Sequence, residues 1–330
     1  MRLGFFTAFA IIFLLPLAAS AQALGGVGST DPFTISVAPQ YPQPFHLITL
    51  SFLSSSLDLA NTTLTLTVGG KQIYQGSVHP VTVMLGKAGS VTTLKATIAA
   101  AGTTYSKSLT LQPEDVALIA EPISSAPVLY PGKPLVPLTG STRVVAVATF
   151  ADASGQALDP AQLSYTWTVD GATIADSSGI GKSAIIVASP LQYRDRSVTV
   201  TVQNQTGALV GGDSLSLAPV TPTIRVYEND PLLGVRFDHA LLGSYSISGT
   251  ESSLYAAPFS LPLIQGNPVV QWFLNSAAAQ TGNTITLRPS GTGQGNASLS
   301  LTASGGTAPL ATANLSLSFG VKPNSNFFGL

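Results

Sequence analysis

The sequence predicts an all-β chain of three tandem sandwiches behind an N-terminal leader. Three observations carry this. Apolar and polar residues alternate with period two, as in Thr34–Val37, Leu64–Val68, Ser197–Val202 and Ser298–Leu301, the pattern of strands that bury one face and wet the other. Gly, Pro, Asn and Ser break the alternation at short intervals, and no segment holds a 3.6-residue apolar period for three turns; Leu57–Ala60 comes nearest, at one turn. A strand-turn unit also recurs about every hundred residues.

The first segment, residues 1–23, has the form of a secretory signal peptide. Arg2 is its single charge, Phe5–Leu17 is apolar, and Ala19-Ser20-Ala21 and Ala21-Gln22-Ala23 are small-x-small cleavage sites. The alternative is an uncleaved anchor, the one way this chain would touch a membrane. Without Arg2 the charge falls from 14 − 15 to 13 − 15, or −2. The chain has no cysteine, so an exported protein of this length without disulfides points to a bacterial cell surface, periplasm or exterior.

The repeat is visible on alignment. Leu64-Thr65-Leu66-Thr67-Val68-Gly69-Gly70 matches Tyr165-Thr166-Trp167-Thr168-Val169-Asp170-Gly171, and Val270-Gln271-Trp272-Phe273-Leu274-Asn275-Ser276 is a looser third copy. Each anchor is followed about 30 residues on by another alternating strand, at Ile98, Val200 and Leu301. A strand with a central large side chain, a tight turn and a later partner strand is the order of an immunoglobulin-like sandwich. Leu66, Trp167 and Trp272 are therefore read as core pins. The first core is expected to be smaller, and Gly69-Gly70 and Asp170-Gly171 to be two-residue hairpin turns with positive φ. Tyr193, shortly before the strand at Ser197, is read as a tyrosine corner.

The boundaries follow from proline. Residues 112–137 hold six prolines, which lack the N–H a ladder needs, so this stretch reads as a linker plus an edge entry. Ala218–Pro222 reads as the second junction. The domains are placed at 30–112, 118–217 and 222–320, with a tail at 321–330.

Composition excludes several functions. With 14 Lys and Arg against 15 Asp and Glu there is no basic face for nucleic acid. Gly179-Ile180-Gly181-Lys182-Ser183 looks like the end of a nucleotide-binding loop, but Asp176 stands where that loop needs glycine and the following residues read as a strand, so a Gly turn explains it better. The three histidines, His46, His79 and His239, fall in unrelated contexts and match neither a catalytic triad nor a metal-ligand spacing. Asp152 and Asp159 flank a loop, where turn chemistry accounts for them better than acid-base work. Glu114, Asp115, Glu121, Glu228 and Asp230 lie near the two junctions and are the calcium candidates, because tandem sandwiches can gather oxygen ligands there; solvated charge is the simpler reading. No cofactor is expected. Asn324–Leu330 ends in Phe327, Phe328 and Leu330, apolar residues at a chain end that suit a docking peptide or a tail folded on the last domain.

The whole mature chain resembles exported tandem immunoglobulin-like proteins of ultrasmall candidate-phyla (patescibacterial) bacteria. The resemblance lies in Tyr165–Gly171, Ser178–Ser183, Val226-Tyr227-Glu228-Asn229-Asp230-Pro231-Leu232 and the Phe327-Phe328-Gly329 ending. The chain is also similar to PKD and other Ig-like modules of bacterial surface proteins, with Thr168-Val169-Asp170 where PKD modules carry an acidic signature after the Trp. The resemblance implies a non-catalytic envelope or surface protein tied to pilus or attachment machinery.

The leading expectation is thus a structural or adhesive protein whose partner is an envelope or surface protein. A second is glycan binding through aromatics of the third repeat, with Tyr227, Tyr245, Tyr255 and Phe259 as the stacking candidates, although such rings are more often core or edge residues. A third is a hydrolase whose site no motif reveals.

Overall fold

The computed structural model describes residues 31–128, 130–191, 194–263, 266–290, 293–305 and 311–320. The leader therefore lies outside the described residues, as do Tyr193 and the tail with Phe327, Phe328 and Leu330. The fold is all-β, with short 3-10 turns as its only helical elements among the described residues. It divides between Pro113 and Glu114 into two compact units.

The first unit is one sandwich. Strands β1 (Thr34–Ala38), β2 (Leu47–Leu53) and β5 (Val81–Met84) form one sheet in the order β1-β2-β5. Strands β3 (Thr63–Val68), β4 (Lys71–Ser77), β6 (Thr92–Ala100) and β7 (Thr103–Leu111) form the other in the order β4-β3-β6-β7. Alternation does what period two requires: Leu64 and Leu66 of β3 and Leu94, Ala96 and Ile98 of β6 are fully buried, while Thr93, Lys95 and Ala99 face out. Leu66 sits opposite Ala96, and Ile98 lies one pleat along, opposite Leu64. This core has no indole; Phe33 and Phe52 are the rings buried in it.

The second unit holds two sandwiches. In the first of them β8 (Asp115–Pro122), β9 (Ser141–Thr149) and β13 (Ala184–Ala188) make a sheet ordered β8-β9-β13. It faces β11 (Ala172–Thr173), β10 (Ser164–Val169), β14 (Arg196–Gln203) and β15 (Val210–Leu217), in that order, with β12 (Gly179–Ile180) pairing β10. The last sandwich has β16 (Thr223–Asp230), β17 (Gly234–Leu241), β19 (Ser252–Phe259) and β22 (Thr284–Leu287) in the order β17-β16-β19-β22. Against it stand β18 (Gly243–Ile247), β24 (Ala311–Phe319), β23 (Gly295–Ser304), β20 (Val269–Leu274) and β21 (Ala277–Thr281), in that order.

All three sandwiches share one wiring. The first, second and fifth core strands make one sheet; the fourth, third, sixth and seventh make the other. In the constant-type immunoglobulin arrangement the fourth strand joins the first sheet instead. The difference has a local cause. A two-residue turn follows the third strand in each repeat, and its central residues all have positive φ: Gly69 and Gly70, Asp170 and Gly171, Asn275 and Ser276. Such turns match the right-handed twist of a hairpin, so the fourth strand folds straight back on the third. The first turn residue then donates its N–H to the sixth strand in every repeat, Gly69 to Thr93 O, Asp170 to Ser197 O and Asn275 to Ser298 O. Asp170 and Asn275 also accept with Oδ1 from Ser197 N and Ser298 N, a bond Gly69 lacks.

Ser276 adopts φ +68° without being glycine, which costs a Cβ-bearing residue about 1 kcal/mol. Ser276→Gly is expected to stabilise the third sandwich by about 0.5–1 kcal/mol, read as a higher melting temperature. An unchanged or lower value counts against this turn geometry.

The third sandwich carries an insertion between its first and second core strands. Strand β17 pairs antiparallel with β16, and β18 crosses to the other sheet and pairs parallel with β24. Nothing in the repeat predicts this addition.

The proline-rich stretch holds the expected edge strand but departs from the expected linker. It contains β8, which begins at Asp115 rather than at the predicted 118 and pairs with β9 along its whole length. Residues 123–137 do not run free as a linker. Residues 123–128 and 130–137 form a strap from the second sandwich onto the third. Ser125 N donates to Leu261 O (2.7 Å), Ser260 N donates to Ser125 O (3.0 Å) and Leu263 N donates to Ile123 O (3.2 Å). Leu261 N donates to Ser125 Oγ (3.1 Å). The strap closes at Val136, whose carbonyl accepts from Val220 N while its side chain packs in the second core. Prolines suit a segment whose ladder runs through a few chosen amides only.

Candidate functional site

The residues with chemical potential are engaged in holding the fold. Asp152 Oδ1 accepts from Ser154 N, Ser154 Oγ and Gln156 N, and these bonds hold its carboxyl below the usual aspartate range. Asp159 caps a 3-10 turn by accepting from Ala161 N. His46 and His79 each place Nδ1 against a nearby proline carbonyl, and His79 packs edge-on against Tyr74.

The Gly179–Ser183 segment is a structural turn. Gly179 and Ile180 pair with Tyr165 and Ser164 of β10. Lys182 O then accepts from the indole Nε1–H of Trp167 at 2.9 Å. The third sandwich repeats this with a different loop, where Gly282 O accepts from Trp272 Nε1–H at 2.7 Å. Leu66, Trp167 and Trp272 are all fully buried at the equivalent position, three residues before the first residue of the hairpin turn. The two indoles are held by both packing and a hydrogen bond, as a buried Trp requires.

The five calcium candidates do not converge. Glu121 pairs with Arg143 at 2.6 Å across the β8–β9 ladder, and Asp115 is exposed on β8. Glu228 accepts from Tyr245 O–H. Asp230 Oδ1 accepts from Leu232 N and Leu233 N, which draw its carboxyl below the usual range and order the β16–β17 hairpin tip. That tip presents Leu232 and Leu233 to solvent, 92% and 78% exposed. No three His, Asp or Glu gather as metal ligands among the described residues.

Glu114 is different. Only 2% exposed, it lies beside Gly211, where an added Cβ would meet Glu114 Cβ together with Val116 and the Phe150 ring. Oε2 accepts from Ala151 N at 3.0 Å, and Oε1 has no partner among the described residues. Burial raises its pKa from 4.5 to about 7, the Ala151 bond opposing this in part. Its place just after Pro113 in a polar stretch gave no signal of burial.

The aromatic candidates of the third sandwich form a covered layer. Tyr227 is buried on the outer face of β16. Phe237 of β17 packs edge-on against Tyr227 at 5.2 Å and Tyr255 at 6.1 Å. Tyr130 of the strap closes the cluster against Phe237 and Phe259, at 5.9 and 5.0 Å. Tyr245 stands apart on β18, bonded to Ser252 and Glu228. They therefore present no open stacking platform. The strap and inserted strand that cover them were read as linker and as nothing at all.

The open face of the opposite sheet is polar and almost without charge. Across β23 and β24, Ser298 faces Ser316, Asn296 faces Ser318 and Thr302 faces Thr312, and β18 adds Ser244 beside Ser316.

No family model matches the chain, and no curated protein does. Among solved structures it is similar to the three N-terminal domains of the Hoc outer capsid protein of bacteriophage RB49, with 13% identity over 88% of this chain and 100% of that one and a TM-score of 0.26. It is also similar to the central fibronectin-III array of RIM-binding protein, with 10% identity over 91% and 100% and a TM-score of 0.29. A third likeness is to fibronectin(III)-like modules of CbhA from Clostridium thermocellum, with 14% identity over 57% and 95% and a TM-score of 0.24. No helix among the described residues is long and apolar enough to cross a membrane.

Proposed function

We propose that the chain is an exported, non-catalytic bacterial envelope or surface protein, a stiff scaffold that adheres to a surface partner. The strap supports this reading most directly. It ties the second and third sandwiches together through Ser125, Ile123 and Tyr130, which fixes the spacing of whatever surfaces they carry. Asp152, Asp159 and Lys182 serve turns and the Trp167 pin instead of gathering around a cleft. The ordered tip at Leu232 and Leu233 is a surface suited to contact with a protein partner. In its finer form the proposal places the chain beside pilus or attachment machinery, with the tail at Phe327 and Phe328 as a second contact.

The test is binding of purified protein to washed cell-envelope fragments. Three forms are compared: full length, a form lacking Asn324–Leu330, and Leu232→Ser/Leu233→Ser. Saturable binding that falls at least about tenfold in one altered form supports adhesion and assigns the contact. Absence of saturable binding by the full-length protein contradicts it.

A further inference from the structure

A cavity of about 250 Å3 lies where the strap meets the third sandwich. Pro127 and Pro134 of the strap and Pro258 of β19 wall it, and Tyr255, Asn267 and Asn283 also line it. Ser124 and Ser125 border it too, but their hydroxyls are already engaged with Leu135 O and Leu261 N. The phenol of Tyr255 and the side-chain amides of Asn267 and Asn283 line the cavity and form no hydrogen bond with other described residues.

We infer that this cavity is a binding site for one neutral sugar ring of a glycan. The chemistry of the lining selects that class. Among the described residues no Asp, Glu, Lys, Arg or His borders the cavity, so a charged ligand would find no counter-charge from them. Each carboxamide both donates and accepts, as does each sugar hydroxyl, and two carboxamides with one phenol match a ring of vicinal hydroxyls. The prolines supply the apolar surface for the ring's C–H faces, while Tyr255, its ring packed against Phe237, contributes its phenol. An extended peptide needs a row of main-chain donors, which proline walls lack, and a polyproline helix needs an aromatic groove, whereas one ring lines this cavity. The volume lies below the ~300–1,000 Å3 of pockets that enclose drug-sized ligands, so a single residue of a longer glycan enters. The junction between two sandwiches is a common place for such a site.

This inference rests on the reading of the chain as an adhesive scaffold and gives that scaffold a ligand. It moves the glycan site from the stacking aromatics predicted from sequence to a recess in which Tyr255 acts beside two amides.

The test is titration of the full chain, followed by NMR, with the methyl glycosides of glucose, galactose, mannose and N-acetylglucosamine. Glucuronate and a proline decapeptide are run in parallel. At least one neutral glycoside is expected to saturate and to shift the side-chain amide signals of Asn267 and Asn283. Asn267→Ala/Asn283→Ala is expected to weaken that binding at least about tenfold with an unchanged melting temperature, and Tyr255→Phe to weaken it less. The site is overturned if no neutral glycoside binds, if the double variant binds as the unaltered chain does, or if the proline peptide saturates the same amides. Failure of every glycoside while envelope fragments still bind removes the sugar site alone. Glycoside binding without envelope binding removes the adhesive reading and keeps the sugar site.

Discussion

Trp167→Ala and Trp272→Ala are each expected to destabilise their own sandwich by about 3–5 kcal/mol, a large share of the ~5–15 kcal/mol that holds a domain. Each removes the largest side chain of a core that no disulfide backs up and leaves Lys182 O or Gly282 O without its donor. Trp167→Phe separates the two effects. It keeps a ring in the core but orphans Lys182 O, at about 1–3 kcal/mol. The chain has two tryptophans, one in each of these cores, so after either substitution the remaining indole reports the unaltered sandwich, and denaturant unfolding followed by far-UV circular dichroism reads the altered one as the transition that moves to lower denaturant. A cost below about 1 kcal/mol for either Ala variant would contradict the pin assignment. Leu66→Ala should cost about 2–5 kcal/mol in the first unit, where no hydrogen bond adds to the loss.

Glu114→Gln is expected to remove a pH dependence of stability from the second sandwich. The folded pKa of Glu114 stands at about 7 against an ordinary 4.5. Between these values the folded state keeps a proton that the unfolded chain has lost, so stability falls as pH rises from 4.5 to about 7 and is level above. Glutamine keeps the acceptor for Ala151 N and brings no charge to bury. The variant should therefore gain about 1–3 kcal/mol over the unaltered chain at pH 8, the scale of one buried unsatisfied group, and little or nothing at pH 4.5. Asp152 and Asp230 act in the opposite sense and lower down: their depressed values make stability fall as pH drops below 3.8. Urea unfolding at pH 4.5, 7 and 8 checks this, and a variant that tracks the unaltered chain at all three contradicts the burial of a charged Glu114.

What was legible in the sequence was local. Period-two alternation in Leu64–Val68 and Ser197–Val202 reads directly as strands because each pleat turns one side chain inward. Gly69-Gly70 and Asp170-Gly171 announce their turns because few other residues accept that φ. Asn275-Ser276 makes the same turn with a serine, which is why the third copy looks loose. The distant partnerships were not legible. Proline content marks residues 123–137 as unable to sit inside a sheet, but not that Ser125 pairs with Leu261, 136 residues away. The same blindness left the cover of Tyr227, Tyr255 and Phe259 unread, since it comes from Tyr130 and Phe237. The nucleotide-like run at Gly179 was legible as a turn, because Asp176 stands where a phosphate loop needs glycine, but that its Lys182 carbonyl meets an indole leaves no mark on residue type.

The account turns on the strap that fuses the second and third sandwiches into one scaffold. Hydrogen exchange of the full-length chain, resolved at single amides, tests it most directly. The amides of Ser125, Ser260, Leu261 and Leu263 should exchange as slowly as those inside β19, and Tyr130→Ala should speed all four while leaving Val200 and Leu301 protected. Exchange of these four in the unaltered chain at the rate of an open loop would contradict the account, leaving two sandwiches joined by a tether.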